Sequence, residues 1–272
     1  MGRLTHGDPM APPKTLFFVG AGPAGADLIT LRGARVLAQA QVVLHDALTD
    51  PQLRDLAPQA QWIDVGKRGF CQAMGQTRIN ALLVQHARSG AVVVRLKGGD
   101  PSVFGRLEEE LIALHEAGFT HEAIEVIPGV TAALAAAAAA QRPLTRRGRG
   151  RTVSLTTAMT ESGTLQAARS SHTQVFYMAG RQLAALGRQL GTAGWPKDTP
   201  VHVVSRAGGP DQLCSDHRVG SLAEAAMLHS GRPTVVCVGV GASALNTGGA
   251  AAAPQTDPKL TSDSVITRNI TA

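Results

Sequence analysis

Short apolar runs alternate with helix-length segments along most of this chain, and that alternation constrains its fold more than any other feature. Strands are predicted near 15–19, 42–44, 61–65, 91–96 and 124–127, then near 152–156, 174–178, 201–205 and 234–238. Helices are predicted near 28–39, 51–57, 76–89, 106–117, 131–141, 181–193 and 221–229. Strands joined through helices pair in parallel, so the pattern predicts an α/β architecture of two α/β domains with a largely parallel first sheet. Gln141 to Gly150, with Pro143 and several arginines, reads as a linker. It divides an N-terminal domain over 14–142 from a C-terminal domain over 152–245, with 143–151 between them. Residues 1–13, with Gly, Asp and three prolines, and the Ala-, Gly-, Thr-, Ser- and Pro-rich residues 246–272, with few large apolar groups, are predicted to be disordered. There is no internal repeat.

One strand end stands out. The run Ala91-Val92-Val93-Val94 leads into Arg95-Leu96-Lys97-Gly98-Gly99-Asp100-Pro101, then Phe104-Gly105-Arg106 and Glu108-Glu109. Two glycines let a ligand touch the backbone there, with a carboxylate at the rim, and ligands of open α/β sheets bind at such strand ends. The N-terminus offers a competing motif. Thr15 to Val19 reads as a buried strand, and Gly20-Ala21-Gly22-Pro23-Ala24-Gly25 fits G-x-G-x-x-G. Asp46 ends the next strand, 21 residues beyond Gly25, where a dinucleotide site wants a ribose-binding carboxylate. Against NAD or FAD stand Pro23 inside the turn and Gly33 interrupting the helix that follows.

At 272 residues the chain can bury a sizeable core. Aromatics are only 3%, so close packing of small side chains is expected between helices and sheets. The formal charge of +6 favours an acidic partner or substrate. Cys71, Cys214 and Cys237 are odd in number and widely spaced, which points to neither a disulfide framework nor a metal site. Cys237, inside Thr234–Val238, reads as core. No apolar run has transmembrane length and no signal-peptide core is visible, so a cytoplasmic protein is expected. Ala135 to Ala140 follows Pro128-Gly129-Val130-Thr131, and Thr131 can cap the resulting helix. That helix is either a tightly packed structural element or one whose first amides face a ligand. Arg146, Arg147, Arg149 and Arg151 form either a solvated linker or a clamp for carboxylates. No stacking aromatics are interleaved with them, which disfavours nucleic acid as the partner. His45 and the other histidines show no metal spacing and read as structural or surface groups.

Taken in order, the blocks VGAGPAGADLIT, VVLHD, VGKR, INALLVQHARSGAVVVRLKGGDPSVFGR, IPGVTAA, PLTRR, YMAG and GRPTVVCVG resemble the tetrapyrrole methyltransferase family over residues 15–242. The resemblance is strongest to the uroporphyrinogen-III C-methyltransferase branch, which opens sirohaem and cobalamin synthesis. It implies two α/β domains with S-adenosylmethionine folded into the cleft between them, usually in a homodimer. S-adenosylhomocysteine would be the product, and a small tetrapyrrole, not a membrane or nucleic acid, the partner. Pro23 would lie near the cofactor, and Gly98, Gly99 and Asp100 would contact its amino-acid and ribose portions. Val103, Thr131, Ala132, Met178 and Ala207 would line the rest of the pocket. Asp46 matches a proposed proton acceptor and Lys67 a proposed donor. Arg106 and Glu109 match residues thought to orient substrate or remove a proton, and Arg147 a substrate-side arginine. Uroporphyrinogen III is polyanionic, which suits the basic charge.

The chain also departs from the family pattern. Ala24-Gly25 replaces a Gly-Asp pair, His45 a tyrosine and Leu107 a glycine. Gln72 stands near a common histidine, and Ala132, Ala136 and Ala138 stand for serine, proline and tyrosine. Arg146-Arg147-Gly148 replaces His-Arg-Asp. The changes fall more on the substrate side than on the cofactor side. A methyltransferase for another tetrapyrrole or acidic acceptor therefore stands as an alternative, as does a non-catalytic protein that binds S-adenosylmethionine or a porphyrin. No dehydrogenase or chelatase segment is read in this sequence.

Overall fold

A computed structural model describes residues 14–66, 75–159, 165 and 167–245. The termini expected to be disordered lie outside these residues, as do Lys67, Cys71 and Gln72. The first sheet holds β1 (Leu16–Gly20), β2 (Val42–His45), β3 (Gln61–Asp64), β4 (Val93–Lys97) and β5 (Ile124–Ile127). Their spatial order is β3-β2-β4-β1-β5, and every pairing is parallel. The helices are α1 (Leu31–Leu37), α2 (Gln76–Ala87) and α3 (Leu107–Glu116). Strand alternation divides the apolar residues between two faces. Leu16, Phe18, Leu44 and Val93 pack with Ile79 and Leu83 of α2 and Leu114 of α3. Val19, Val43, Val94 and Leu96 pack with Leu37 of α1 and with Leu53.

Two of the expected helices differ from expectation for local reasons. α1 starts at Leu31, not near residue 28, because the Thr30 hydroxyl accepts the Gly33 amide at 3.1 Å and sets the N-cap there. Ala26–Leu28 before it is a short 3₁₀ turn. Residues Pro51–Leu56 are likewise 3₁₀, not α; Asp50 caps them by accepting the Gln52 amide at 2.9 Å.

α4 (Ala132–Ala139) links the two sheets. The second sheet contains β6 (Val153–Thr157), β7 (Thr173–Tyr177), β8 (Pro200–Ser205), β9 (Leu213–Arg218) and β10 (Thr234–Gly239), in the order β6-β7-β10-β8-β9. β6 runs parallel to β7, while the other pairings are antiparallel. On one face, Phe176, Val201, Val203 and Val236 meet Leu183, Leu186 and Leu190 of α5 (Leu183–Thr192). On the other, Val175, Tyr177, Val204, Val235 and Cys237 meet Ala133, Ala135 and Ala136 of α4. Alanine has no bulk beyond Cβ, so α4 lies close against the sheet. Cys237 is a core residue as expected, and burial pushes its thiol up to about 12.

The segment predicted as a helix near 221–229 is mostly 3₁₀ over Val219–Ala225, followed by the single-turn α6 (Ala226–His229). β9 was not expected from the sequence. Its residues Leu-Cys-Ser-Asp-His-Arg carry one large apolar group, because an edge strand needs little more.

Candidate active site

The loops that leave β1, β4 and β5 interlock at the carboxyl edge of the first sheet. Gly22 and Gly99 exchange backbone hydrogen bonds, at 3.2 Å from the Gly22 amide and 2.9 Å from the Gly99 amide. A Cβ on Gly20 would stand 2.6 Å from the Gly129 Cα, and one on Gly129 2.3 Å from the Gly99 carbonyl oxygen. These glycines permit backbone contact between loops. The G-x-G-x-x-G segment is thus engaged with the Gly99 loop. It also fails to open a helix directly, since the 3₁₀ turn and the Thr30 cap intervene. That is a physical reason against the dinucleotide alternative.

For a side chain, Gly98 and Gly99 differ from Gly20, Gly22 and Gly129. A Cβ on Gly98 would meet nothing nearer than Leu48 Cβ at 3.8 Å, and one on Gly99 nothing nearer than the Val130 carbonyl at 4.0 Å. A Cβ would therefore make only ordinary van der Waals contact at these two positions, and Gly99 has φ +74. Asp100 ties the rim together. Its Oδ1 accepts the Ser102 amide at 2.8 Å and its Oδ2 the Gly129 amide at 2.9 Å.

The loops of the second sheet face these. The Thr131 hydroxyl lies 2.8 Å from the Tyr177 hydroxyl, and the Phe104 and Tyr177 rings meet edge-on at 5.0 Å. Burial raises the Tyr177 phenol above its ordinary value. Leu28, Val103, Val130 and Ala132 pack in one cluster with Tyr177 and Ala207. A Cβ on Gly208 would stand 3.2 Å from the Pro23 carbonyl oxygen. Pro23, Gly98, Gly99, Asp100, Val103, Thr131, Ala132, Met178 and Ala207 therefore lie on loops and a helix start that meet at one junction. Backbone strain gathers there too. Ala24, Phe104, Arg106, Met178 and Arg206 are non-glycine residues with positive φ, and all sit in these loops. Such outliers concentrate at functional sites.

Beside the junction runs a buried ionic chain that sequence reasoning missed. Arg95, Lys97 and Glu110 are each 2% exposed or less. Asp46 Oδ1 accepts from Arg95 Nη2 at 2.6 Å, and Glu110 Oε1 accepts from Arg95 Nε at 3.1 Å. Lys97 Nζ donates to both Glu110 oxygens at 3.0 Å. Burial alone would lower the Arg95 pKa, but the two carboxylates outweigh it and hold the group above its usual value. Burial, with Arg95 close by, pulls Lys97 down. The signal for this chain lay in the alternation. Arg95 and Lys97 share a β4 face with Val93, and Glu110 falls in the α3 stripe between Leu107 and Leu114.

Arg106 caps α3 in a left-handed conformation, φ 55. Its Nε and Nη2 donate to the two Glu109 oxygens at 2.7 and 2.6 Å. Both side chains are about half exposed, and the arginine pair lowers the Glu109 carboxyl. Arg147 is exposed on the turn closed by the Arg146–Gly150 bridge and makes no hydrogen bond or ion pair with a described residue. Arg146 beside it donates to the carbonyls of Ser243 and Ala244. Lys67 lies outside the described residues. His45 is buried, edge-on to Trp62 at 5.5 Å, with its Nδ1 3.2 Å from the Thr49 hydroxyl.

Comparison with known proteins agrees on the family. The family model of tetrapyrrole (corrin/porphyrin) methylases matches residues 15–226. The chain is 38% identical over 229 residues to a uroporphyrinogen-III C-methyltransferase of Pseudomonas aeruginosa, covering 82% of this chain and 92% of that one. It is 40% identical over 215 residues to a siroheme synthase of Hahella chejuensis, covering 77% of this chain but only 45% of the longer protein. Among solved structures, it superposes with a TM-score of 0.70 on a uroporphyrin-III C-methyltransferase of Thermus thermophilus complexed with S-adenosylhomocysteine. That pair is 33% identical, covering 82% of this chain and 91% of that one. With strands, loops and sequence blocks all in agreement, this chain belongs to the tetrapyrrole methylase family.

Proposed function

We propose that this chain catalyses the S-adenosylmethionine-dependent C-methylation of uroporphyrinogen III to precorrin-2. The observation that carries the proposal is the junction itself, where the loops bearing Val103, Phe104, Val130 and Thr131 meet Tyr177 and Ala207 of the second sheet. The residues fit the cofactor. A backbone cradle free of Cβ atoms suits its polar groups, and Pro23, Val103, Ala132, Met178 and Ala207 supply an apolar wall. Thr131 offers a hydroxyl beside Tyr177. S-adenosylmethionine supplies a methyl already activated on a sulfonium. The protein's part is then alignment, exclusion of water and proton transfer on the macrocycle. Asp46 accepts a proton and Lys67 donates one. Arg106 and Glu109, exposed and paired, exchange partners with substrate, so that the guanidinium takes a carboxylate and Glu109 is released as a base. Arg147 binds another carboxylate from the linker. The same proposal includes a homodimer working in the cytoplasm; among the described residues no helix is long and apolar enough to cross a membrane.

Parallel calorimetric titrations with S-adenosylhomocysteine and NAD test the cofactor assignment. S-adenosylhomocysteine is expected to bind and NAD to give no saturable heat. Tight NAD binding without a response to S-adenosylhomocysteine would overturn the proposal.

A further inference from the structure

We propose that Arg95 is a positioning residue that acts through Asp46, fixing the direction of that carboxylate at the end of β2. The inference rests on Asp46 being the proton acceptor of the reaction proposed above. Every nitrogen of the Arg95 guanidinium is engaged. Nη2 holds Asp46 Oδ1 at 2.6 Å, while Nη1 donates to the Leu44 and Leu96 carbonyls at 3.3 and 3.2 Å. Nε reaches Glu110 at 3.1 Å, and Glu110 is gripped in turn by Lys97 and, at 3.3 Å, by Gln76. The guanidinium therefore cannot rotate without breaking bonds to two strands and a helix.

The chain has a direction. Its inner members are buried, whereas the Asp46 side chain is 34% exposed, so the ordered end opens on solvent. Asp46 Oδ2 has no hydrogen-bond partner among the described residues, which leaves that oxygen for a proton on a bound molecule. Two cations and two carboxylates cancel, so the chain carries no net charge. Buried ion pairs add little net stability over a well-packed apolar core. The surrounding cluster of Leu16, Phe18, Leu44 and Leu114 would accept such a core. What the ionic chain adds is a fixed geometry for the carboxylate at its mouth. The neighbouring ionisable groups do not replace Arg95. His45 and Asp64 are register partners whose side chains alternate to the opposite face of the sheet, where Arg54 also lies near His45.

The test compares Arg95→Lys and Arg95→Met, each alone and combined with Asp46→Asn, in the full chain. In the Asp46 background, kcat should fall roughly tenfold to a hundredfold, with S-adenosylhomocysteine affinity held to within about twofold. In Arg95→Met the acid limb of the kcat profile should move to higher pH, because Asp46 loses its cationic partner; Arg95→Lys keeps a cation and should lose rate through the lost fork geometry. With Asp46→Asn present, the Arg95 changes should cause no further loss of kcat. Equal losses in both backgrounds, or a wild-type rate in Arg95→Lys, would overturn the inference. If Arg95→Met does not fold, Arg95→Lys carries the comparison. Carbon NMR titration of the Asp46 carboxylate gives a readout independent of turnover, with a higher midpoint expected in Arg95→Met and an unchanged one contradicting the clamp. Absence of methyl transfer by the wild-type protein would count against the acceptor assignment instead, and the NMR titration would still decide the role of Arg95.

Discussion

Arg106 combines two properties that conflict. It is a non-glycine residue at φ 55, and it presents the guanidinium that the proposed reaction needs. A left-handed residue with a Cβ carries about 1–3 kcal/mol of strain. The helix that follows begins with Leu107, which packs into the cluster beneath α2 and β4 and fixes the turn. Arg106→Gly should therefore melt higher than Arg106→Ala, while both lose turnover and keep S-adenosylhomocysteine binding. Calorimetric melting and cofactor titration on the two proteins check this; equal melting would remove the strain. Asp100 makes a different case. Its carboxylate already accepts the Ser102 and Gly129 amides, so it ties two loops together in addition to its proposed contact with the cofactor. Asp100→Ala should weaken cofactor binding by roughly 1.5–3 kcal/mol, about tenfold to a hundredfold. It should also lower the melting temperature without cofactor. An unchanged dissociation constant in a folded variant would take Asp100 out of the site.

Among the elements, α4 is the most demanding. Ala133 is buried against the second sheet, while Ala138 is exposed on the same helix. Ala133→Leu should destabilise by about 1–3 kcal/mol through overpacking; Ala138→Leu should stay within about 0.5 kcal/mol of wild type. Denaturant unfolding of the pair checks the packing. The regular strands were legible in the sequence because their apolar runs and glycine or proline borders are strong local signals. β9 was not, since edge pairing asks for backbone and not for apolar side chains. The Pro51–Leu56 segment has helix-like spacing but forms 3₁₀ turns behind the Asp50 cap. At the site, the glycine loops were visible as motifs. The Arg95–Glu110–Lys97 chain was not, because its members come from a strand and a helix that only tertiary packing brings together. The Arg106–Glu109 pair spans one helical turn, a spacing present in the sequence but overshadowed by the family roles of the two residues.

At the scale of the whole molecule, side chains as well as backbone tie the α4 connection to the second sheet. Arg142, just past α4, donates to both Asp216 oxygens on β9 at 2.5 and 2.7 Å and to the Ala242 carbonyl at 2.7 Å. His202 adds a ring nitrogen 2.7 Å from Asp216. Arg142, with help from His202, holds the Asp216 carboxyl down to about 2. A depressed carboxyl stabilises the fold above its ordinary value of about 4. That contribution is lost as the pH falls from there through about 2. Asp216 is largely exposed, so solvent screens the effect. The stability difference between wild type and Asp216→Asn should nevertheless shrink across that window and stay flat above it; a flat difference throughout would show that the link contributes nothing. The central claim concerns the junction of the two sheets, where Thr131 meets Tyr177. Its most direct test is anaerobic incubation of the purified chain with uroporphyrinogen III and methyl-labelled S-adenosylmethionine, with the product mass read out. Label on the macrocycle, with its mass raised by whole methyl groups, is the expected result; a tetrapyrrole recovered unlabelled and unchanged in mass, from protein that binds S-adenosylhomocysteine, would contradict it.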